Sequence, residues 1–63
     1  MEIYIREVRE NKGMGVRELS RLSGVSIGNL SNIENGVTQN PTINTICKLA
    51  KALNVHPSEL YEC

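Results

Sequence analysis

Arg17-Glu18-Leu19-Ser20-Arg21-Leu22-Ser23-Gly24-Val25-Ser26-Ile27-Gly28-Asn29-Leu30-Ser31-Asn32-Ile33-Glu34-Asn35-Gly36 is the stretch whose reading decides the fold. It divides into two helices. The first runs from Val16 to Ser23, with Val16, Leu19 and Leu22 at i, i+3 and i+6, Gly15 as a cap without a side-chain acceptor, and Gly24 as its stop. Ser26 caps the second, whose inward residues are Leu30 and Ile33, and Asn35-Gly36 ends it in the manner of a left-handed cap. The connection Ser23-Gly24-Val25-Ser26 is too short for relaxed antiparallel packing and makes the helices cross steeply, with glycine where the chain reverses at positive φ. Ser20 lies on the inner face, where close backbones admit only a small side chain. Val25, Leu30 and Ile33 plug the angle between the two helices.

Working outward, the pattern stays helical. Ile5 and Val8 recur through a first helix at about residues 3–12, stopped by Asn11-Lys12-Gly13. Beyond the polar loop Val37-Thr38-Gln39-Asn40, Thr42 caps a fourth helix with the apolar stripe Ile43, Ile46, Cys47, Ala50 and Leu53, closed by Asn54. His56-Pro57 opens a short fifth helix, with proline at the favoured first position and Leu60 and Tyr61 as packing residues. No segment reads as a strand, repeat, linker or low-complexity tract. The expectation is an all-α domain of five helices spanning residues 1–63, with its steep pair at about 16–35.

Composition limits what such a chain does. With 63 residues and 40% hydrophobic content, it makes one small domain that buries only ~60% of the surface of its unfolded form. Phe and Trp are absent, so the core is aliphatic. There is no room for separate cofactor and substrate domains, no cofactor is expected, and no Ser, His and carboxylate set supports catalysis. Seven Lys+Arg offset seven Asp+Glu, so attraction for nucleic acid depends on local arrangement and not on net charge. The two cysteines, Cys47 and Cys63, are too few for a secreted disulfide scaffold, and Cys47 reads as a small buried hydrophobe. Cys47, His56 and Cys63 match no metal-ligand spacing, so no metal is expected. Apolar runs never exceed three residues and Glu2 and Arg6 interrupt the early apolar cluster, so neither a membrane span nor a signal peptide is read, and the cytoplasm is the expected compartment.

A steep helix pair with a polar outer helix is the arrangement that enters a DNA major groove. Arg17-Glu18-Leu19-Ser20-Arg21-Leu22-Ser23-Gly24-Val25-Ser26, then Ile33-Glu34-Asn35-Gly36, resembles the helix-turn-helix of the Cro/cI-type family, the lambdoid phage repressor-like or xenobiotic response element group. Ile5-Arg6-Glu7-Val8-Arg9 through Gly13 is similar to that family's first helix. Pro41-Thr42-Ile43 and Lys48-Leu49-Ala50-Lys51-Ala52-Leu53-Asn54-Val55 are similar to its fourth. The likeness covers roughly residues 3–61 and implies the docking geometry of the phage repressors.

The resemblance implies a compact five-helix phage repressor-like DNA-binding domain whose third helix reads bases with Ile27, Gly28, Ser31 and Asn32. It implies phosphate contacts from Arg9, Val16, Arg17, Ser26, Asn29, Asn35, Thr38, Asn40 and Thr42, and an Arg9–Glu34 ion pair linking the first helix to the end of the third. It implies a homodimer joined through Val55, Leu60 and Tyr61, with Ile3 and Tyr4 as additions, acting on double-stranded DNA as a repressor at an inverted repeat. Two alternatives stand beside it. One is an antitoxin or restriction-modification controller that also binds a protein partner. The other is an interaction module that has lost DNA affinity, favoured by the absence of Lys and Arg from Ser26 to Thr42. Ile27 also reads as an ordinary exposed apolar residue and Asn32 as a solvated one, while Arg6, Arg21, Lys48 and Lys51 read as solvated faces.

Overall fold

Hydroxyl caps and left-handed residues set the helix boundaries. In the computed structural model, which describes residues 1–63, the helices are α1 (Ile5–Asn11), α2 (Val16–Ser23), α3 (Ile27–Glu34) and α4 (Ile43–Leu53). Ser26 Oγ accepts the Asn29 N–H at 3.2 Å and Thr42 Oγ1 accepts the Thr45 N–H at 3.2 Å, so each satisfies one orphan donor of the helix it opens. Gly15 stands at the start of α2 in an extended conformation and offers no side-chain acceptor. Gly24 ends α2 at φ +77° and Asn54 ends α4 at φ +59°, both in the left-handed region that lets a following N–H turn back onto the helix.

The chain ends depart from the sequence expectation. Glu2–Ile3 forms a strand, β1, paired antiparallel with β2 (Tyr61–Glu62), with Glu2 opposite Glu62 and Ile3 opposite Tyr61. The first helix therefore begins at Ile5 and not at residue 3, and the fold is not free of strands. Pairing gives the terminal backbone groups partners that a helix start leaves unsatisfied. The Tyr4 N–H extends the pairing, donating to the Leu60 carbonyl at 2.8 Å.

The expected fifth helix is a single 3₁₀ turn, Pro57–Glu59, so the α-helices number four. His56 Nδ1 accepts the Ser58 N–H at 3.2 Å, and the Glu59 carboxylate accepts the His56 N–H at 2.9 Å. The turn stops there because the next residue, Leu60, enters the core with no exposed surface, and Tyr61 must run extended to meet β1. Three residues held by a capping box at the first end suit the tighter 3₁₀ geometry; a longer α-helix would swing Tyr61 away from its partner strand.

Ten residues are buried and all are aliphatic: Ile5, Leu19, Val25, Leu30, Ile33, Ile46, Leu49, Ala50, Leu53 and Leu60. α2 packs on both α3 and α4, α1 touches α4, and the 3₁₀ turn closes over α4. Two stripes are rotated from their sequence reading. On α4 the inner face is Ile46, Leu49, Ala50 and Leu53, whereas Ile43 and Cys47 are exposed. At 3.6 residues per turn the centre of that face lies about 110° from Cys47, so burying Leu49 turns the thiol outward. On α2, Ser20 and Ser23 are half-buried with Val16 while Leu22 is 49% exposed. An i, i+3, i+6 series drifts by about 60° at each step, and Leu22 falls off the far edge of the buried face.

Candidate nucleic-acid interface

The turn between α2 and α3 is held by hydroxyls as well as by glycine. Ser20 Oγ donates to the Val25 carbonyl at 2.6 Å, and the Val25 N–H donates to Ser23 Oγ at 3.1 Å. Val25, 6% exposed, is thereby pinned between the two helices. Ser20 is thus more than a small side chain that admits a close approach: it ties the end of α2 to the entry of α3.

From that anchor α3 projects with Leu30 and Ile33 buried and Ile27, Gly28, Asn29 and Asn32 exposed; Ser31 is half-buried. Ile27, Gly28, Ser31 and Asn32 therefore share the outer side of one short helix. The Asn32 carbonyl accepts the N–H groups of Val37 and Thr38 at 2.9 and 3.0 Å, folding the following loop back against the helix end after Gly36 at φ +79°.

Glu34 fixes that end to α1. The Arg9 guanidinium grips it with Nε to Oε2 at 2.8 Å and Nη2 to Oε1 at 3.0 Å, while Nη1 donates to the Met14 carbonyl at 2.8 Å. The side chains are 12% and 4% exposed, and the bond to Glu34 pushes the Arg9 pKa further up, against the opposing pull of desolvation. With three donor nitrogens engaged inside the protein, Arg9 is built first as a strut between α1, α3 and the α1–α2 connection. Arg6, read from sequence as solvated, is a second arm: its Nε lies 3.4 Å from Glu34 Oε1 and its Nη2 donates to Asn35 Oδ1. The signal for this was the i, i+3 spacing of Arg6 and Arg9, which puts both on one helix face.

The residues expected at phosphates lie at helix starts and in the loop. Gly15 leaves the Val16, Arg17 and Glu18 N–H groups of α2 without any protein partner. In α3 the Asn29 N–H is already taken by Ser26, and in α4 Thr42 takes that of Thr45, which leaves the first two amides of each helix open. Arg17 and Asn40 are exposed and Thr38 is half-buried. Lys12, Arg17, Arg21, Lys48 and Lys51 make no ion pair within the protein. Asn35 is engaged by Arg6 and by Ser31.

At the opposite end, Leu60, expected at the contact between copies, has no exposed surface and packs in the core. Val55 and Tyr61 are half-buried against the core beside Ile3. Tyr4 donates its phenol hydrogen to Glu62. No three His, Cys, Asp or Glu side chains gather into a metal-binding set; His56 serves as a cap. No helix is long and apolar enough to cross a membrane.

The family described as Helix-turn-helix matches residues 5–60. The HTH-type transcriptional regulator SlrR of Bacillus subtilis (strain 168) is 40% identical over 58 residues, covering 92% of this chain and 38% of that protein. The HTH-type transcriptional repressor RghR of the same organism is 43% identical over 51 residues, covering 81% of this chain and 38% of that protein. An uncharacterized HTH-type transcriptional regulator of Mycobacterium tuberculosis is 38% identical over 58 residues, covering 92% and 41% respectively. The chain thus spans about two fifths of the length of these relatives. No solved structure matches it.

Proposed function

This chain belongs to the Cro/cI-type helix-turn-helix family, and on that premise we propose that it is a sequence-specific, double-stranded-DNA-binding transcriptional regulator, a repressor that reads an inverted repeat as a homodimer. The observation that carries the reading is the outer face of α3. Ile27, Gly28 and Asn32 stand exposed on it, and its one acidic residue, Glu34, is neutralised between two arginines.

In this reading α3 lies in the major groove. Asn32 offers donor and acceptor together to an adenine edge, Ile27 packs on a thymine methyl, and Gly28 lets the backbone approach closely. Ser31 adds a hydroxyl. The open amides at the starts of α2, α3 and α4, with Arg17, Asn29, Thr38 and Asn40, set the register on phosphates. Principal extents of 26 × 23 × 19 Å suit two protomers side by side with recognition helices about 34 Å apart. Val55 and Tyr61, with Ile3, form the contact between them.

Selection from a random duplex pool, under reducing conditions at moderate salt, tests this. The expected product is an inverted repeat with half-sites about 10–11 bp apart. A single half-site bound by a monomer overturns the dimer. The absence of Lys and Arg from Ser26 to Thr42 favours one second reading, an interaction module without DNA affinity. A folded protein that enriches no sequence supports that reading instead.

A further inference from the structure

Ser31 lies in the second turn of α3, and one protein group engages its hydroxyl: Asn35 Nδ2 donates to Ser31 Oγ at 3.2 Å. The other end of the same amide, Asn35 Oδ1, accepts from Arg6 Nη2. A guanidinium has donors only, so Asn35 must turn its oxygen to Arg6 and, in consequence, its NH₂ to Ser31. The amide orientation is thus imposed from α1. Arg6 is itself steadied by its second contact, Nε to Glu34 at 3.4 Å.

We propose that Arg6 and Asn35 form a positioning relay that sets the Ser31 hydroxyl as a hydrogen-bond donor toward the bases; the proposal rests on the DNA-reading function above. A hydroxyl carries one hydrogen and two lone pairs. Asn35 occupies one lone pair and no protein group takes the hydrogen, which is left for the duplex. A donor there favours base edges that accept, such as N7 and O6 of guanine or O4 of thymine, over the amino groups of adenine and cytosine. Arg6 and Asn35 then influence specificity without touching a base.

Asn35→Asp reverses the relay. A carboxylate still accepts from Arg6 but has no hydrogen to give, so the Ser31 hydrogen turns to it and leaves Ser31 an acceptor only. The experiment is duplex selection with the wild type, Asn35→Asp, Arg6→Met and Ser31→Ala, each checked for folding by circular dichroism. Ser31→Ala identifies the base pair concerned by losing discrimination there. Asn35→Asp is expected to shift relative preference at that pair by about three- to tenfold toward adenine or cytosine, the size of one hydrogen bond, and Arg6→Met to flatten it. The added negative charge lowers affinity for every duplex, whereas a change of ranking at one base pair is something neither charge nor lost stability produces. If Arg6→Met fails to fold, the comparison of Asn35→Asp with Ser31→Ala decides. Unchanged ranking in Asn35→Asp, beside a wild type that does enrich a sequence, overturns the relay alone. A wild type that enriches nothing overturns the DNA-reading function and the relay with it.

Discussion

With 4% of its side chain exposed, Glu34 holds two guanidinium groups against the end of α3. Removing one partner of such a buried pair leaves charge without compensation, a larger effect than the loss of a surface ion pair. Glu34→Gln keeps an acceptor but loses the charge. It is expected to lower stability by about 2–3 kcal/mol in urea unfolding, and to weaken DNA binding because α3 loses its tie to α1. No change in either measurement contradicts this role. Tyr4 offers a second residue-scale test. Its hydrogen bond to Glu62, reinforced by partial desolvation and by the nearby carboxylate charges, pushes its pKa up to about 12 from 10.0. A folded-state pKa above the unfolded one means stabilisation that is complete below about pH 10 and lost as pH rises from there through 12. In a Tyr61→Phe background, absorbance at 295 nm should show Tyr4 ionising near 12, and Glu62→Gln should bring it down. Coincident titration curves would count against the terminal clasp.

At the scale of elements, α3 is short and carries Gly28 at an exposed interior position where an added Cβ meets nothing within 4 Å. Gly28→Ala is therefore expected to raise stability by about 0.5–1 kcal/mol, through the backbone freedom that glycine loses on folding. Affinity for the selected duplex is expected to fall at the same time, because the methyl group enters the gap between helix and groove floor. If both rise, residue 28 faces away from the duplex. The α2–turn–α3 unit was legible in sequence because its determinants are local: the Gly24 stop, the Ser26 cap, and Leu30 with Ile33. The stripes of α2 and α4 were less so. Ile43-Ile46-Ala50 and Ile46-Leu49-Ala50 are both good helical patterns, and only the neighbours packed on α4 choose between them. The same holds for Leu60: its burial was readable as packing, but the pairing of Tyr61 with Ile3 joins residues at opposite ends of the chain and has no local signature. Arg6 shares a helix face with Arg9, a local signal, but its partners Glu34 and Asn35 become visible only once α1 and α3 are side by side.

For the whole molecule, zero net charge is a poor guide to the field that DNA would meet. Two of the seven basic residues are committed to Glu34, and of the five without an ion pair only Arg17 stands at a helix start among the proposed phosphate contacts. Most backbone attraction must then come from amide N–H groups, which are dipoles and release no counterion of their own. Each cationic phosphate contact contributes about −0.9 to the slope of log K against log salt concentration. One such contact per protomer gives a dimer slope of about −2, shallow for a DNA-binding protein. Arg17→Gln should remove nearly all of it while leaving the order of preferred sequences intact, because a phosphate contact positions the protein and reads nothing. Fluorescence anisotropy on the selected duplex between 50 and 200 mM salt measures both. A wild-type slope steeper than about −5 would mean that at least two more cations per protomer, from Lys12, Arg21, Lys48 and Lys51, also reach the backbone. The amide N–H groups would then be the lesser part of the backbone attraction.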